Sequence, residues 1–133
     1  MRIRKIGAYT LIELFVVALL LGTLVAVSIP SYVSSLERNR ETVANANAKA
    51  IATAIQSVFV RGTSKGYLDA GINDMVVAKA MGGASIPTNP CTGGNSLEKD
   101  YKLQLSDVKA TLAASEGTLC NDSSLPAITL IGL

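Results

Sequence analysis

The chain has 133 residues, 49% of them hydrophobic, with 12 Lys or Arg against 10 Asp or Glu and no histidine. That length accommodates one small domain with an attached segment, and the apolar content argues against a disordered tail. The missing histidine excludes Ser-His-Asp and Cys-His nucleophilic systems and His-bearing zinc sites. No motif pairs the scattered carboxylates, so the sequence reads as a non-enzyme with no cofactor. Arg2, Arg4 and Lys5 stand ahead of an apolar run, and beyond position 8 nine basic and ten acidic residues nearly balance. Without a basic stripe interleaved with aromatics, nucleic-acid binding is not indicated.

A basic triplet followed at once by a long apolar stretch keeps the N-terminus in the cytoplasm and sends the following chain outward. Leu14 to Ile29 reads LFVVALLLGTLVAVSI, and with Tyr9 to Ile12 it makes a helix about 30 Å long, enough to cross a hydrocarbon core. Its one charge is Glu13. An unpaired acid in a membrane helix costs roughly 2.5 to 3.5 kcal/mol. Glu13 is therefore either hydrated at the interface or compensated by a partner. Ala18, Gly22 and Ala26 recur at four-residue spacing, a small-residue stripe that lets helices approach closely or an ordinary run of small residues in a span. Pro30 removes a backbone donor and, with Gly22, predicts a kinked or loosened helix, or else the start of a second one.

The stretch GAYTLIELFVVALLL resembles the cleavage and assembly signature of type IV prepilins and type II secretion pseudopilins. In that family a membrane aspartyl peptidase removes a short basic leader, the new N-terminal amine is methylated, and a glutamate four residues later is retained. Matching Glu13 to that glutamate places the cut between Ala8 and Tyr9 and the methylated amine on Tyr9. Gly22 and Pro30 then occupy the family's helix-loosening glycine and proline. The chain departs at the cut, where Ala8 and Tyr9 replace the usual Gly and Phe and Gly7 stands one place early, so a cut after Gly7 is the alternative. The resemblance implies that Glu13 pairs with the freed amine of a neighbouring subunit, offsetting two charges in an apolar filament core.

Beyond Pro30 the helical period continues through Val33, Leu36, Val43, Ala46, Ala50, Ile51, Ala54, Ile55 and Val58. A helix from Tyr9 to Val60 would be about 75 to 80 Å long and stop near Gly62. The charges of Glu37 to Glu41 read as a solvated face. A turn-rich connection, Thr63 to Gly71, leads to a short helix capped by Asn73 and ending at Met81. SIPTNPCTGGNS follows as a loop, whose prolines resemble the P-x-x-P connection of pilins. Tyr101, Leu103 and Leu105 alternate as one strand, with Val108 to Leu112 and Ala127 to Ile131 as two more. Cys91 and Cys120 lie on the outward side and bracket the first two strands, which points to a disulfide worth up to about 3 to 4 kcal/mol. Asn95, Glu98 and Asp100 read as a solvated turn in preference to a calcium loop.

The expected fold is α+β, a long N-terminal helix packed on a small antiparallel sheet. The expected layout is a leader (1–8), a membrane-spanning helix (9–30) and a head (31–133), itself divided into an amphipathic helix half (31–61), a connection with a short helix (62–90) and a disulfide-closed β region (91–133). The resemblance implies a filament subunit, held in the bacterial inner membrane before assembly and extracellular after it. Its partners would be like subunits, a prepilin peptidase, an assembly ATPase and an inner-membrane platform. Three readings compete: a secretion pseudopilin, a secreted binding domain released at Ala26-Val27-Ser28 by signal peptidase, and a single-pass protein that never assembles.

Overall fold

The computed structural model describes residues 9–62, 65–120 and 125–132. The elements in order are α1 (Leu11–Arg61), α2 (Asp74–Ala80), β1 (Gln104–Leu105), β2 (Lys109–Leu112) and β3 (Ile128–Ile131). This is the expected α+β arrangement of one long helix and a small antiparallel sheet. The chain divides into two units between Leu36 and Glu37.

In the first unit, α1 opens on a cap that its sequence encodes. Thr10 accepts the amide of Glu13 on its hydroxyl at 3.3 Å and on its carbonyl at 3.0 Å. Thr-x-x-Glu is the capping-box spacing, and an acid in the first turn also suits the positive end of the helix dipole. The helix continues through Gly22 and Pro30, so Pro30 neither ends it nor begins a second one.

In the second unit, the core gathers around Ala44, Ala48, Ile51, Ala52, Ile55 and Phe59 of α1. These positions recur every three or four residues, one helical face. The expected stripe was right at Ile51, Ala54 and Ile55, but Val33, Leu36, Val43, Ala46 and Ala50 are exposed. The buried face is rich in alanine because small side chains let loop backbone lie close against the helix. Asn47, beside that face, donates from Nδ2 to the carbonyl of Thr88 at 3.0 Å. Arg40 reaches the carbonyl of Leu119 at 3.1 Å.

Gly62 closes α1 with its amide on the carbonyl of Val58. Past the connection, Tyr67 stacks on Phe59 with ring centroids 4.3 Å apart and donates its hydroxyl to Oε1 of Gln56 at 2.8 Å. Asn73 caps α2 by accepting the amide of Val76 at 3.0 Å. Asp74 reaches across to accept the amide of Leu97 at 3.1 Å, tying α2 to the following loop.

The sheet runs β1-β2-β3, antiparallel throughout, with Leu105 opposite Ala110 and Ala110 opposite Leu130. The first strand is shorter than its alternation predicted. Lys102 has a φ of 42°, a left-handed conformation that breaks an extended run. Only Gln104 and Leu105 pair as a strand. Tyr101 still faces inward, fully buried, with its hydroxyl on the carbonyl of Pro87 at 2.7 Å. Burial raises its pKa to about 12, with the negative charge of Asp100 adding and a hydrogen bond from Asn47 opposing.

Candidate functional site

Two regions carry the residues singled out by sequence: the apolar half of α1, and the loops closed by the cysteines.

From Leu11 to Leu36 every residue of α1 is exposed, and Glu13 is the one charge. Leu11, Leu14, Leu20, Leu24 and Ile29 each leave more than half of their surface uncovered. Among the described residues, α1 is the one helix long and apolar enough to cross a membrane, and its most apolar window has no residue buried. The hydroxyls of this stretch are turned inward. Thr23 donates to the carbonyl of Leu20 at 2.9 Å and Ser28 to that of Leu24 at 2.8 Å. A helix so built offers an apolar medium few unsatisfied donors, which is what such a medium demands.

Tyr9, two residues ahead of α1, and Glu13 line a shallow surface with Leu14 and Val17. Ala18, Gly22 and Ala26 share another face, flanked by Phe15, Leu19 and Thr23 in a shallow groove. A Cβ added at Gly22 would meet nothing within 4 Å, so among the described residues no close neighbour requires the glycine. The capping hydroxyl of Thr10, which accepts the Glu13 amide, is absent from the sequence expectations, although the Thr-x-x-Glu spacing is visible. Gly7 and Ala8, and with them the expected leader and one side of the expected cleavage site, lie outside the described residues.

In the second unit Cys91 and Cys120 form a disulfide with Cα atoms 5.0 Å apart, closing β1 and β2 within it. The Asn95, Glu98 and Asp100 turn is organised by hydrogen bonds. The carboxylate of Asp100 accepts the hydroxyl of Thr92 at 2.6 Å on one oxygen and the amide of Ser96 at 2.8 Å on the other. Among the described residues no three acidic or thiol side chains converge on a point where a metal ion would sit.

The organising residue here is Asn89, which the sequence reading passed over as one more loop residue. It is fully buried. Its Nδ2 donates to the carbonyls of Asp100 at 2.6 Å and Ser115 at 3.0 Å, and its Oδ1 accepts the amide of Cys91 at 2.9 Å. Ser115, also buried, donates its hydroxyl to the carbonyl of Lys99 at 2.7 Å. An Asn between two prolines carries no spacing signal, since its partners lie 11 and 26 residues away.

The chain matches no protein-family model, no curated protein and no solved structure. Any functional reading rests on its own residues.

Proposed function

We propose that this chain is a structural subunit of a type IV pilus or a related filament, made as a membrane-anchored precursor and polymerised through the first half of α1. The observation that carries the reading is a helix half that is exposed at every residue from Leu11 to Leu36, dominated by large apolar side chains, with Glu13 its one charge. Uncovered apolar surface on that scale is foreign to a monomer in water and marks contact with lipid or with other chains.

Both media explain it in turn. In the membrane, lipid covers the helix. In a filament, the helices of other copies take the place of lipid, and the Ala18, Gly22, Ala26 face lets them come close. Cleavage between Ala8 and Tyr9 would leave a cationic amine four residues before Glu13. Tyr9 and Glu13 line one shallow surface, which supports a place for the freed amine beside its own carboxylate in the unassembled chain. On assembly Glu13 would take the amine of a neighbour, and the exchange would fix the register between subunits. A disulfide-closed head suits an extracytoplasmic location. Like subunits, a prepilin peptidase and an ATPase-driven inner-membrane platform are the partners this reading requires.

The test is mass spectrometry of the N-terminal peptide from native membranes and from sheared surface material, combined with Glu13→Ala. The expected result is a methylated Tyr9 terminus in both fractions, with the Glu13→Ala chain cleaved and membrane-inserted but missing from sheared filaments. A terminus at Ile29 would make the chain a secreted domain. An intact Met1 leader throughout, or normal incorporation of Glu13→Ala, would overturn the assembly mechanism.

A further inference from the structure

An open sheet edge beside a basic-rimmed groove in the second unit remains unaccounted for by this reading, and it carries an inference that does not depend on it. β3 lies at the edge of the sheet. The amide of Gly132 bonds the carbonyl of Val108 at 2.8 Å. With Lys109 opposite Ile131, the alternation of an antiparallel ladder then makes Leu130–Ala110 and Ile128–Leu112 the hydrogen-bonded pairs. The N–H and C=O groups of Thr129 and Ile131 therefore face away from β2. Among the described residues no backbone hydrogen bond ends on them.

Natural edge strands are guarded by charge, bulges or proline. Here residues 125–133, LPAITLIGL, contain no charged side chain, and Pro126 stands before the strand and not in it. Between β3 and α1 runs an apolar groove of about 600 Å³, with Ala52, Gln56 and Val60 on one wall and Ile128 and Leu130 on the other. Lys49 and Arg61 stand at its rim, both exposed, and no acidic residue lines it.

We infer that this edge binds an extended, acidic-flanked polypeptide segment, which adds to the sheet as a fourth strand beside β3. The backbone groups of Thr129 and Ile131 supply the ladder, the groove takes alternate apolar side chains, and the two cations select the flanks. The charge spacing sets the length. Twelve residues of helix separate Lys49 from Arg61, about 18 Å at 1.5 Å per residue. An extended segment covers that distance in five to six residues. Carboxylates six residues apart point to the same side of a strand as the apolar positions between them. A second copy of β3 would satisfy the ladder too, but it would bring Lys49 and Arg61 of two chains toward each other, and the charge pattern favours an acidic guest.

The probe is the blocked peptide Glu-Thr-Val-Thr-Val-Thr-Glu, compared with its Lys-flanked counterpart, against the full chain in lipid nanodiscs at low ionic strength. The acidic peptide is expected to bind and to slow hydrogen exchange at the amides of Thr129 and Ile131. Lys49→Glu with Arg61→Glu should weaken that peptide by about tenfold and strengthen the Lys-flanked one, the scale of two surface ion pairs turned repulsive. Thr129→Pro should abolish binding while leaving the amides of Ala110 and Leu112 protected, because the donor it removes faces outward and an edge strand tolerates proline there. Equal binding of the two peptides, or no protection at Thr129 and Ile131, would overturn the inference. So would protection of those amides by self-association without peptide, which would assign the edge to a second copy.

Discussion

Asn89 offers the sharpest test of how the head is held together. In Asn89→Ala the carbonyl of Asp100 keeps the amide of Ser115 at 2.8 Å. The amide of Cys91 and the carbonyl of Ser115 lose the side-chain partners that the structure gives them. Each buried polar group left without a partner costs about 1 to 3 kcal/mol. Two of them place the loss at about 4 kcal/mol, a large share of the 5 to 15 kcal/mol that holds a typical domain. Urea unfolding of the full chain in detergent, followed by the near-ultraviolet signal of Tyr67 and Tyr101, measures it. Asn89→Asp is the more discriminating variant. It keeps an oxygen for the Cys91 amide but turns a second oxygen toward two carbonyls, which penalises the charged form and raises the folded-state pKa of the new acid. The penalty is absent below the unfolded value of about 3.9, grows as pH rises toward the folded value, and is complete above it. The variant should therefore be at least as damaged as Asn89→Ala at pH 7 and recover toward pH 4. Wild-type stability for Asn89→Asp at pH 7, or a loss below about 1 kcal/mol for Asn89→Ala, would refute the reasoning.

Four further outcomes are expected. Replacing both Cys91 and Cys120 by Ser should lower stability by about 3.5 kcal/mol, the loop-entropy value for a cysteine separation of 29 residues, read from the urea midpoint against the oxidised chain. Gly117→Ala should cost more than about 2 kcal/mol in the same measurement, because Gly117 has a φ of 61° and a Cβ would run into the carbonyl of Cys91, whereas Gly82→Ala, at φ 80° with open space around it, should cost about 1 kcal/mol. The burial that raises Tyr101 to about 12 makes its contribution complete below pH 10 and lost as pH climbs from about 10 to 12; an alkaline unfolding series should show that loss, and Tyr101→Phe should flatten it. Ala48→Leu should overpack the head and destabilise it by about 1 to 3 kcal/mol, while Gly22→Leu should leave head stability unchanged and, on the proposed function, reduce recovery of the chain in sheared filaments.

The sequence was most legible where one residue type has few uses. The apolar run, the helix stop at Gly62, the Asn73 cap and the proline-rich loop follow from local rules, and two cysteines with no histidine to complete a metal site leave little but each other to pair with. It was least legible where long-range contacts decide. Alanine is nearly neutral in hydropathy, so the buried face through Ala44, Ala48 and Ala52 was hidden behind the more apolar Val33, Leu36 and Val43, which are exposed. The alternation of Tyr101, Leu103 and Leu105 reported which side chains could turn inward. It could not report the left-handed backbone at Lys102 that ends the pairing. Asn89 and Asp100 work through partners brought near by the fold. At the candidate site Glu13 stands out as a lone acid, whereas the capping role of Thr10 depends on where the helix begins.

One helix solves two burial problems with the same device. Ala44, Ala48 and Ala52 recur every four residues and are covered by the head's own loops and strands. Ala18, Gly22 and Ala26 recur at the same interval and are exposed. Small residues in such a row remove the bulk that would hold a neighbour off, and so they increase contact only when a neighbour arrives. In the second unit the chain supplies that neighbour, and polar residues beside the stripe, Arg40 and Asn47, reach loop carbonyls at Leu119 and Thr88. Among the described residues of the first unit no such lateral polar anchor stands beside the stripe, and Glu13, near its N-terminal end, is the one charged side chain between Leu11 and Leu36. A partner there would be oriented by a single charge, whereas the face along which it packs is set by the small-residue row. On the proposed function, that division would make Glu13 the determinant of register and Gly22 the determinant of closeness, two properties that a single substitution at either position would separate.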